Sequence, residues 1–101
     1  AKKVYVVNIM TKWGETHGFL AGDFVRAVES HLGKHTLDYA LVNTGRVSRV
    51  RLERYEEEHA ALVEAKDMLT SVKTVRTDLL RSRGFIRHDP VKLAQVLVSL
   101  I

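Results

Sequence analysis

The chain has 101 residues, 46% of them apolar and 28% charged, and a formal net charge of +4. A chain of this length folds as one globular unit at most, with a modest core. No run of about 18 apolar residues is present, which argues against a membrane span. The absence of cysteine excludes disulfides, thiolate zinc sites and cysteine nucleophiles. Because no charged-then-apolar leader precedes the first apolar run either, we expect a cytoplasmic protein.

The chain alternates between strand-like and helix-like segments. Short apolar runs rich in β-branched residues predict the strands, and apolar residues at helical spacing predict the helices. The strongest local signal is Asp89-Pro90, an N-cap followed by proline at the first helical position. The predicted elements are strands at 4–7, 37–42, 60–63 and 72–77, helices at 24–32 (capped by Asp23), 49–58 (capped by Ser48) and 91–101, a helical turn at 67–69 and a basic loop at 81–87.

This order predicts an α/β fold with a mostly parallel sheet of about four strands and three helices. Parallel sheets need helices on both faces, and three helices cover four strands thinly. The strand at 4–7 is apolar on both faces, and the helix at 91–101 is apolar around most of its surface. We therefore expect residues 1–101 to be a single α/β unit within a larger protein, and we expect the isolated chain to associate with itself.

The loop after the first predicted strand is the first candidate site, since ligands of open parallel sheets bind at the carboxyl ends of the strands. The side chains of Asn8, Thr11 and Thr16 and the amide of Gly14 suit phosphate and sugar oxygens. Glu15 would repel a bare phosphate, so it suits a sugar hydroxyl, a base N–H or a divalent cation better. The alternative is an ordinary long loop whose polar side chains satisfy its own backbone.

Two further patterns indicate a binding site less strongly than this loop does. Asn43 and Gly45 end the second predicted strand on the same side, although sequence alone favours a simple turn there. His31 and His35 have the spacing of two metal ligands on one helix face. Gly33 breaks that helix and no third ligand is near, so we predict no metal site.

Arginines form two groups that differ in their acidic neighbours. The first group, interleaved with glutamates, predicts a solvated, salt-bridged face. The second is one-sided and favours a compact phosphorylated partner over nucleic acid, because the chain lacks groove-reading or aromatic-rich elements. The first group is Arg46, Arg49, Arg51 and Arg54 with Glu53, Glu56, Glu57 and Glu58; the second is Arg76, Arg81, Arg83 and Arg87.

Three stretches taken together resemble one family. They are Val-Tyr-Val-Val-Asn-Ile-Met-Thr-x-x-Gly-Glu-Thr at 4–16, Leu-Asp-Tyr-Ala-Leu-Val-Asn-x-Gly at 37–45, and Arg-His-Asp-Pro at 87–90 before a Leu-rich helix. The chain is similar to the C-terminal third of the CofD-like proteins (the UPF0052 group), in particular to the bacterial gluconeogenesis-factor branch. The other well-known branch is 2-phospho-L-lactate transferase, which builds a deazaflavin coenzyme.

The resemblance implies a three-layer Rossmann-like fold that binds a UDP-sugar, such as UDP-N-acetylglucosamine, in a cleft above the sheet. It also implies a role in the control of carbon metabolism and cell-wall synthesis. Guanidinium pairs bidentately with phosphate, and an aromatic ring stacks on a base. The ligand contacts that the resemblance implies are Asn8, Thr11, Gly14, Glu15, Thr16, Asn43, Gly45, Tyr55 and Arg87.

The chain departs from the family pattern at Lys12-Trp13, where Gln-Pro is common, and at His17, where Asp is common. Trp13 could stack on a ring or pack against a neighbouring subunit. Two alternatives to the regulatory reading stay open. One is a Mg²⁺-assisted phospholactyl-type transfer with Glu15 near the metal; the other is a segment that supplies only packing and subunit contacts.

Overall fold

In the computed structural model, which describes residues 2–34, 36–68 and 72–100, three strands alternate with three helices. All strands are parallel in the order β1-β2-β3, with Val6 opposite Leu41 and Leu41 opposite Val75. The predicted α/β fold with a parallel sheet is confirmed. The elements are β1 (Val4–Val6), α1 (Ala21–Leu32), β2 (Tyr39–Asn43), α2 (Arg49–Glu56), β3 (Lys73–Thr77) and α3 (Pro90–Ser99).

The main core lies between the sheet and α1. The central strand β2 contributes Ala40 and Val42, and α1 contributes Phe24 and Val25, all of them buried. Leu41, which alternates with these β2 residues, is fully buried as well. A strand with both faces covered needs such a continuous apolar run, and each large side chain buried there contributes roughly 1.5–3 kcal/mol.

A smaller core lies beyond the carboxyl ends of the strands. Ile9 follows β1, Leu80 follows β3, and Ile86 joins them from the basic loop. Tyr55 and Leu52 of α2 pack against this cluster. The second core therefore fixes α2 and the basic loop at the edge of the sheet where a ligand is expected.

The first helix begins earlier than predicted. Its N-cap is Leu20, and Asp23, which was predicted to be the cap, lies in the first turn, where its Oδ2 accepts a hydrogen bond from the Leu20 amide at 2.8 Å. Asp67, distant in sequence, accepts a hydrogen bond from the Gly22 amide at 2.8 Å and contacts Arg26 at 2.8 Å. Because carboxylates satisfy the amides of this turn, the helix can start at Ala21.

The strand predicted at 60–63 is wrong, so the described sheet has three strands rather than four. Leu62 forms only an isolated antiparallel bridge with Met10. The Thr11 amide donates to the Ala61 carbonyl at 2.8 Å, and the Val63 amide donates to Ile9 at 2.8 Å. The segment thus pairs with the irregular residues after β1, where a ladder cannot continue.

Smaller differences concern the ends of elements. The second helix ends at Glu56 rather than at residue 58, and His59 closes the following turn with a left-handed φ of 57°. A turn covers 66–67 where a helical turn was predicted at 67–69, and Leu69 itself lies outside the described residues. The predicted strands 37–42 and 72–77 correspond to β2 and β3.

The last helix starts as the sequence predicts. Asp89 is the N-cap, and its Oδ1 accepts hydrogen bonds from the amides of Val91 at 2.8 Å and Lys92 at 3.1 Å. No residue of α3 is buried, and Val98 is 68% exposed, so the described residues leave its apolar surface open. Within the described part of the chain, no helix has the length and apolar character needed to cross a bilayer.

Candidate functional site

Three clefts adjoin one another at Asn8, which lies two residues after the end of β1 and lines all of them. The Asn43 cleft, of about 200 Å³, is also lined by Gly45. The Trp13 cleft, of about 520 Å³, is lined by Tyr55 and Thr11, among others. The Arg87 cleft, of about 300 Å³, is lined by Ile86 and His88. These clefts lie where the strands end, which is where the sequence predicts a ligand.

The structure brings most of the predicted ligand contacts to these clefts, but not all of them. Gly14, Glu15 and Thr16 line none of the three, although they lie in the same loop as Lys12 and Trp13, which line the Trp13 cleft. The predicted contacts that line at least one cleft are Asn8, Thr11, Asn43, Gly45, Tyr55 and Arg87. That these side chains touch a ligand remains a prediction.

The segment from Lys12 to Gly18 closes on itself. The hydroxyl of Thr16 accepts a hydrogen bond from the Lys12 amide at 2.7 Å, and Gly14 has a φ of 82° that few other residues adopt. The Lys12 ammonium lies 3.3 Å from the Glu15 carboxylate on the surface. These polar groups satisfy the turn, as the ordinary-loop alternative proposes.

Thr11, which lines the Trp13 cleft, has a structural role as well. Its side chain is buried, and its hydroxyl accepts a hydrogen bond from the Ala61 amide at 3.0 Å. Thr11 therefore fastens residues 60–63 to the segment after β1.

Asn43 and Gly45 join the end of β2 to the chain that leaves β3. The Oδ1 atom of Asn43 accepts hydrogen bonds from the amides of Gly45 at 3.0 Å and Leu79 at 2.9 Å. A Cβ atom on Gly45 would collide with the carboxylate of Asp78. That carboxylate accepts a hydrogen bond from Lys92 Nζ at 2.9 Å, which holds the pKa of Asp78 below its ordinary value. Glycine is required here by the close approach of two segments.

Tyr55 and Arg51 attach α2 to the segment before Arg87. The Tyr55 hydroxyl accepts a hydrogen bond from the Ile86 amide at 2.9 Å. Arg51 donates from Nε to the Gly84 carbonyl at 3.1 Å and from Nη2 to Phe85 at 3.0 Å. The helix thereby fixes the backbone that presents Arg87.

Arg87 is exposed beside an aromatic ring. Its guanidinium carbon lies 5.0 Å from the centroid of Phe85, and that of Arg54 lies 5.4 Å from the same centroid. Such contacts hold a guanidinium in place without neutralising its charge. Among the described residues Arg87 has no carboxylate partner, so its charge is available to an anion.

The prediction of a salt-bridged face at residues 46–58 is wrong. Within the described ranges, no ion pair joins the arginines at 46–54 to the glutamates at 53–58. Arg51 and Arg54 turn instead toward residues 84–85, where backbone carbonyls and the Phe85 ring take the place of carboxylates. This contact spans more than thirty residues, so local charge alternation could not predict it.

His88 lies in the Arg87 cleft with an orphaned ring nitrogen. Its Nε2 atom is buried and has no hydrogen-bond partner. Burial lowers the pKa of this imidazole, and a hydrogen bond between the ring and the Val7 backbone opposes the shift only in part. The neutral ring is therefore favoured next to Arg87. Sequence reasoning missed His88, Phe85 and Arg54, although His88 belongs to the Arg-His-Asp-Pro stretch.

Of the two histidines that have the spacing of metal ligands, the structure describes one. His31 lies exposed in the last turn of α1, and His35 lies outside the described residues. Among the described residues, no three or more His, Cys, Asp or Glu side chains are grouped so that they could hold a metal ion.

Comparison with known proteins gives one family throughout. The family model of 2-phospho-L-lactate transferase CofD matches residues 1–81. A relative from Clostridium acetobutylicum is 39% identical over 105 residues, which cover 100% of this chain and 23% of that protein. The gluconeogenesis factor of Bacillus subtilis is 35% identical over 107 residues, covering 100% of this chain and 33% of that protein.

Solved structures agree with the sequence comparison. Two crystal structures of a UPF0052-family protein from Bacillus halodurans match with TM-scores of 0.87 and 0.90 at 28% and 29% identity. The match covers 97% of this chain and 33% of the other. The chain thus spans about a quarter to a third of the length of the relatives it matches. Motifs, fold and comparisons concur, and the chain belongs to the CofD family.

Proposed function

We propose that the protein carrying this chain binds a UDP-sugar in the cytoplasm and acts in the regulation of carbon metabolism and cell-wall synthesis. The observation that supports this most is the position of Asn8 between the Arg87 cleft and the Trp13 cleft. A nucleotide-sugar carries a diphosphate, a planar base and a hydroxyl-rich sugar. The surface around Asn8 offers a cation, an aromatic wall and amide groups side by side.

Arg87 supplies the charge that a diphosphate needs. A guanidinium free of carboxylates can form two parallel hydrogen bonds with one phosphate. Arg54, whose guanidinium carbon lies 5.4 Å from the Phe85 centroid, adds a second positive charge around the same ring. Asn8 is exposed and can donate to and accept from sugar or phosphate oxygens.

The regulatory part of the proposal rests on the relatives. The curated protein of Bacillus subtilis is named a gluconeogenesis factor, a description that refers to carbon metabolism rather than to a reaction. A protein that binds a nucleotide-sugar without consuming it can report the supply of cell-wall precursors. The intact protein would then change its activity toward a partner when the nucleotide-sugar binds.

A transferase is the second candidate, because the matching family model carries the name of 2-phospho-L-lactate transferase. In a phospholactyl-type transfer, a bound Mg²⁺ would offset the charge of the phosphate groups. Glu15 was the acid predicted to lie near that metal, but it lines none of the clefts at Asn8 and lies beside Lys12. The binding role is the first candidate because Asn8 and Arg87, on which it depends, line one cleft.

Calorimetry on the intact protein separates the two candidates. UDP-N-acetylglucosamine should bind with a one-to-one stoichiometry and remain intact afterwards, and N-acetylglucosamine alone should not bind. Under the transferase alternative, the mass of a deazaflavin acceptor would increase by a phospholactyl group when a nucleotide-activated phospholactate and Mg²⁺ are supplied. If the intact protein binds no nucleotide at all, the segment supplies only packing and subunit contacts.

A further inference from the structure

The largest of the three clefts has an exposed indole in its wall. Trp13 is 59% exposed and lines the Trp13 cleft together with Asn8 and Tyr55. Its ring centroid lies 4.6 Å from that of His17 and 5.0 Å from that of His59, each at an interplanar angle of 43°. The indole thus contacts two imidazoles, while more than half of the surface of Trp13 stays exposed.

The ring contacts come from two separate segments with defined backbones. His17 belongs to the closed loop of residues 12–18, in which the Thr16 amide donates to the Lys12 carbonyl at 2.8 Å. His59 follows α2 in a left-handed conformation, fixed by a hydrogen bond from its amide to the Glu56 carbonyl at 3.0 Å. A left-handed φ is uncommon for residues other than glycine, but histidine adopts it more readily than most, and the turn after α2 places this ring beside Trp13.

We propose that Trp13 is the platform on which the nucleobase of the bound nucleotide-sugar stacks. This inference rests on the proposed function and names the group that recognises the base. An exposed indole is suited to stack on a planar base, whichever base the ligand carries, because every base has a π-face. Asn8 lines both the Trp13 cleft and the Arg87 cleft, so one extended ligand can place its base on Trp13 and its phosphates beside Arg87.

The imidazoles of His17 and His59 act as positioning residues in this arrangement. They contact the indole, so they restrict its orientation before a ligand arrives. A ring whose orientation is already restricted loses less conformational entropy when it stacks. Replacing His59 by glycine removes the imidazole and leaves a residue that adopts φ = 57° freely, so the backbone turn is retained.

The test uses the intact protein and three ligands: UMP, UDP-N-acetylglucosamine, and N-acetylglucosamine 1-phosphate, which has no base. Trp13 is the only tryptophan of this chain. The change in tryptophan fluorescence on adding ligand is measured for the unaltered protein and for Trp13→Phe, and the difference between the two changes is assigned to Trp13. Leu32→Ala is the matched control, because Leu32 is a large apolar residue that is 55% exposed and lines none of the clefts.

The two base-containing ligands should quench Trp13, and Trp13→Ala should weaken their binding at least about fivefold, as loss of one base–aromatic stack does. Trp13→Phe should retain most of the affinity, His59→Gly should lose part of it, and Leu32→Ala should lose none. Binding of N-acetylglucosamine 1-phosphate should be the same in all variants.

Other results overturn the proposal in distinguishable ways. If UDP-N-acetylglucosamine binds the unaltered protein and Trp13→Ala binds it equally well, the stacking role is refuted while the proposed function stands. If Trp13→Ala weakens the base-free sugar phosphate as much as UMP, or if it weakens binding only by dissociating subunits in sedimentation, Trp13 is no base platform. If the unaltered protein binds no nucleotide, the proposed function itself fails.

Discussion

The side-chain oxygen of Asn43 accepts a hydrogen bond from the backbone amide of Leu79 at 2.9 Å, across 36 residues of sequence. The same oxygen accepts from the Gly45 amide at 3.0 Å. One amide side chain thereby links the last residue of β2 to the chain that leaves β3. Asn43 and Gly45, which this oxygen joins, both line the Asn43 cleft.

Replacing Asn43 by alanine should destabilise the fold by about 1–3 kcal/mol, because two backbone donors lose their acceptor. Asn43→Asp keeps an acceptor oxygen at this position and should cost less than alanine does, although its carboxylate lies near that of Asp78. Urea unfolding of both variants measures the difference. Equal losses for the two variants would show that the acceptor oxygen is not what stabilises this junction.

These contacts show which parts of the molecule the sequence could predict. The predicted start of α3 at Asp89 and Pro90 is confirmed, because an N-cap depends only on neighbouring residues of the same helix. Thr11 and Asn43 were predicted to bind ligand, yet their side chains hold Ala61 and Leu79. Those partners are distant in sequence, so no local pattern reveals them.

Contacts between residues distant in sequence also explain why the predicted start of α1 and the predicted strand at 60–63 are wrong. The carboxylate of Asp67 reaches the first turn of α1 from 45 residues away, and Leu62 bridges to Met10 from a distant segment. Alternation of helix and strand was sufficient for the fold class, since that depends on element order. The arrangement of the clefts depends on contacts between elements.

The partly buried imidazole of His88 should make stability depend on pH. Burial holds its pKa in the folded protein below the ordinary value, which is about 6.5 in an unfolded chain. As the pH falls, the unfolded chain therefore takes up the proton first. The contribution of His88 to the free energy of unfolding is complete above about pH 6.5, and it is lost progressively as the pH falls toward the pKa of His88 in the folded protein.

Unfolding in urea at about pH 7.5 and 5.5 measures this loss. His88→Gln should reduce the difference in unfolding free energy between the two pH values, with the unaltered protein measured alongside as the reference. Asp78, whose pKa is also lowered, loses its contribution only below about pH 4, outside this range. An unchanged difference in His88→Gln would assign the pH dependence to other groups.

The isolated 101-residue chain should associate with itself. β1 lies at an edge of the sheet, and α3 exposes 65% of Val91 and 68% of Val98. Unpaired edges and apolar helix faces recruit another chain, and a two-fold dimer that covers them would bury on the order of 2,000 Å².

Sedimentation equilibrium at tens of micromolar should show a dimer, and Val98→Glu should weaken it while the neighbouring Ser99→Glu has a smaller effect. A clean monomer that binds no hydrophobic dye would mean that this α/β unit is self-sufficient.

Residues 1–101 alone should bind nucleotides weakly. They span only 33% of the length of the Bacillus subtilis relative, and a ligand above the sheet of the longer protein would touch other residues too. Titration of the isolated chain with UDP-N-acetylglucosamine should give at best weak binding. Submicromolar affinity would place the whole site within these residues.

The most direct test of the UDP-sugar site is the affinity of the intact protein after Arg87→Ala, measured by calorimetry with UDP-N-acetylglucosamine. Loss of a charge-assisted partner of the phosphate should weaken binding by about 2 kcal/mol or more, roughly thirtyfold. Arg83→Ala removes an exposed arginine of the same basic loop that lines none of the three clefts, and it should leave the affinity nearly unchanged. Equal affinities for Arg87→Ala and the unaltered protein would contradict the proposed site.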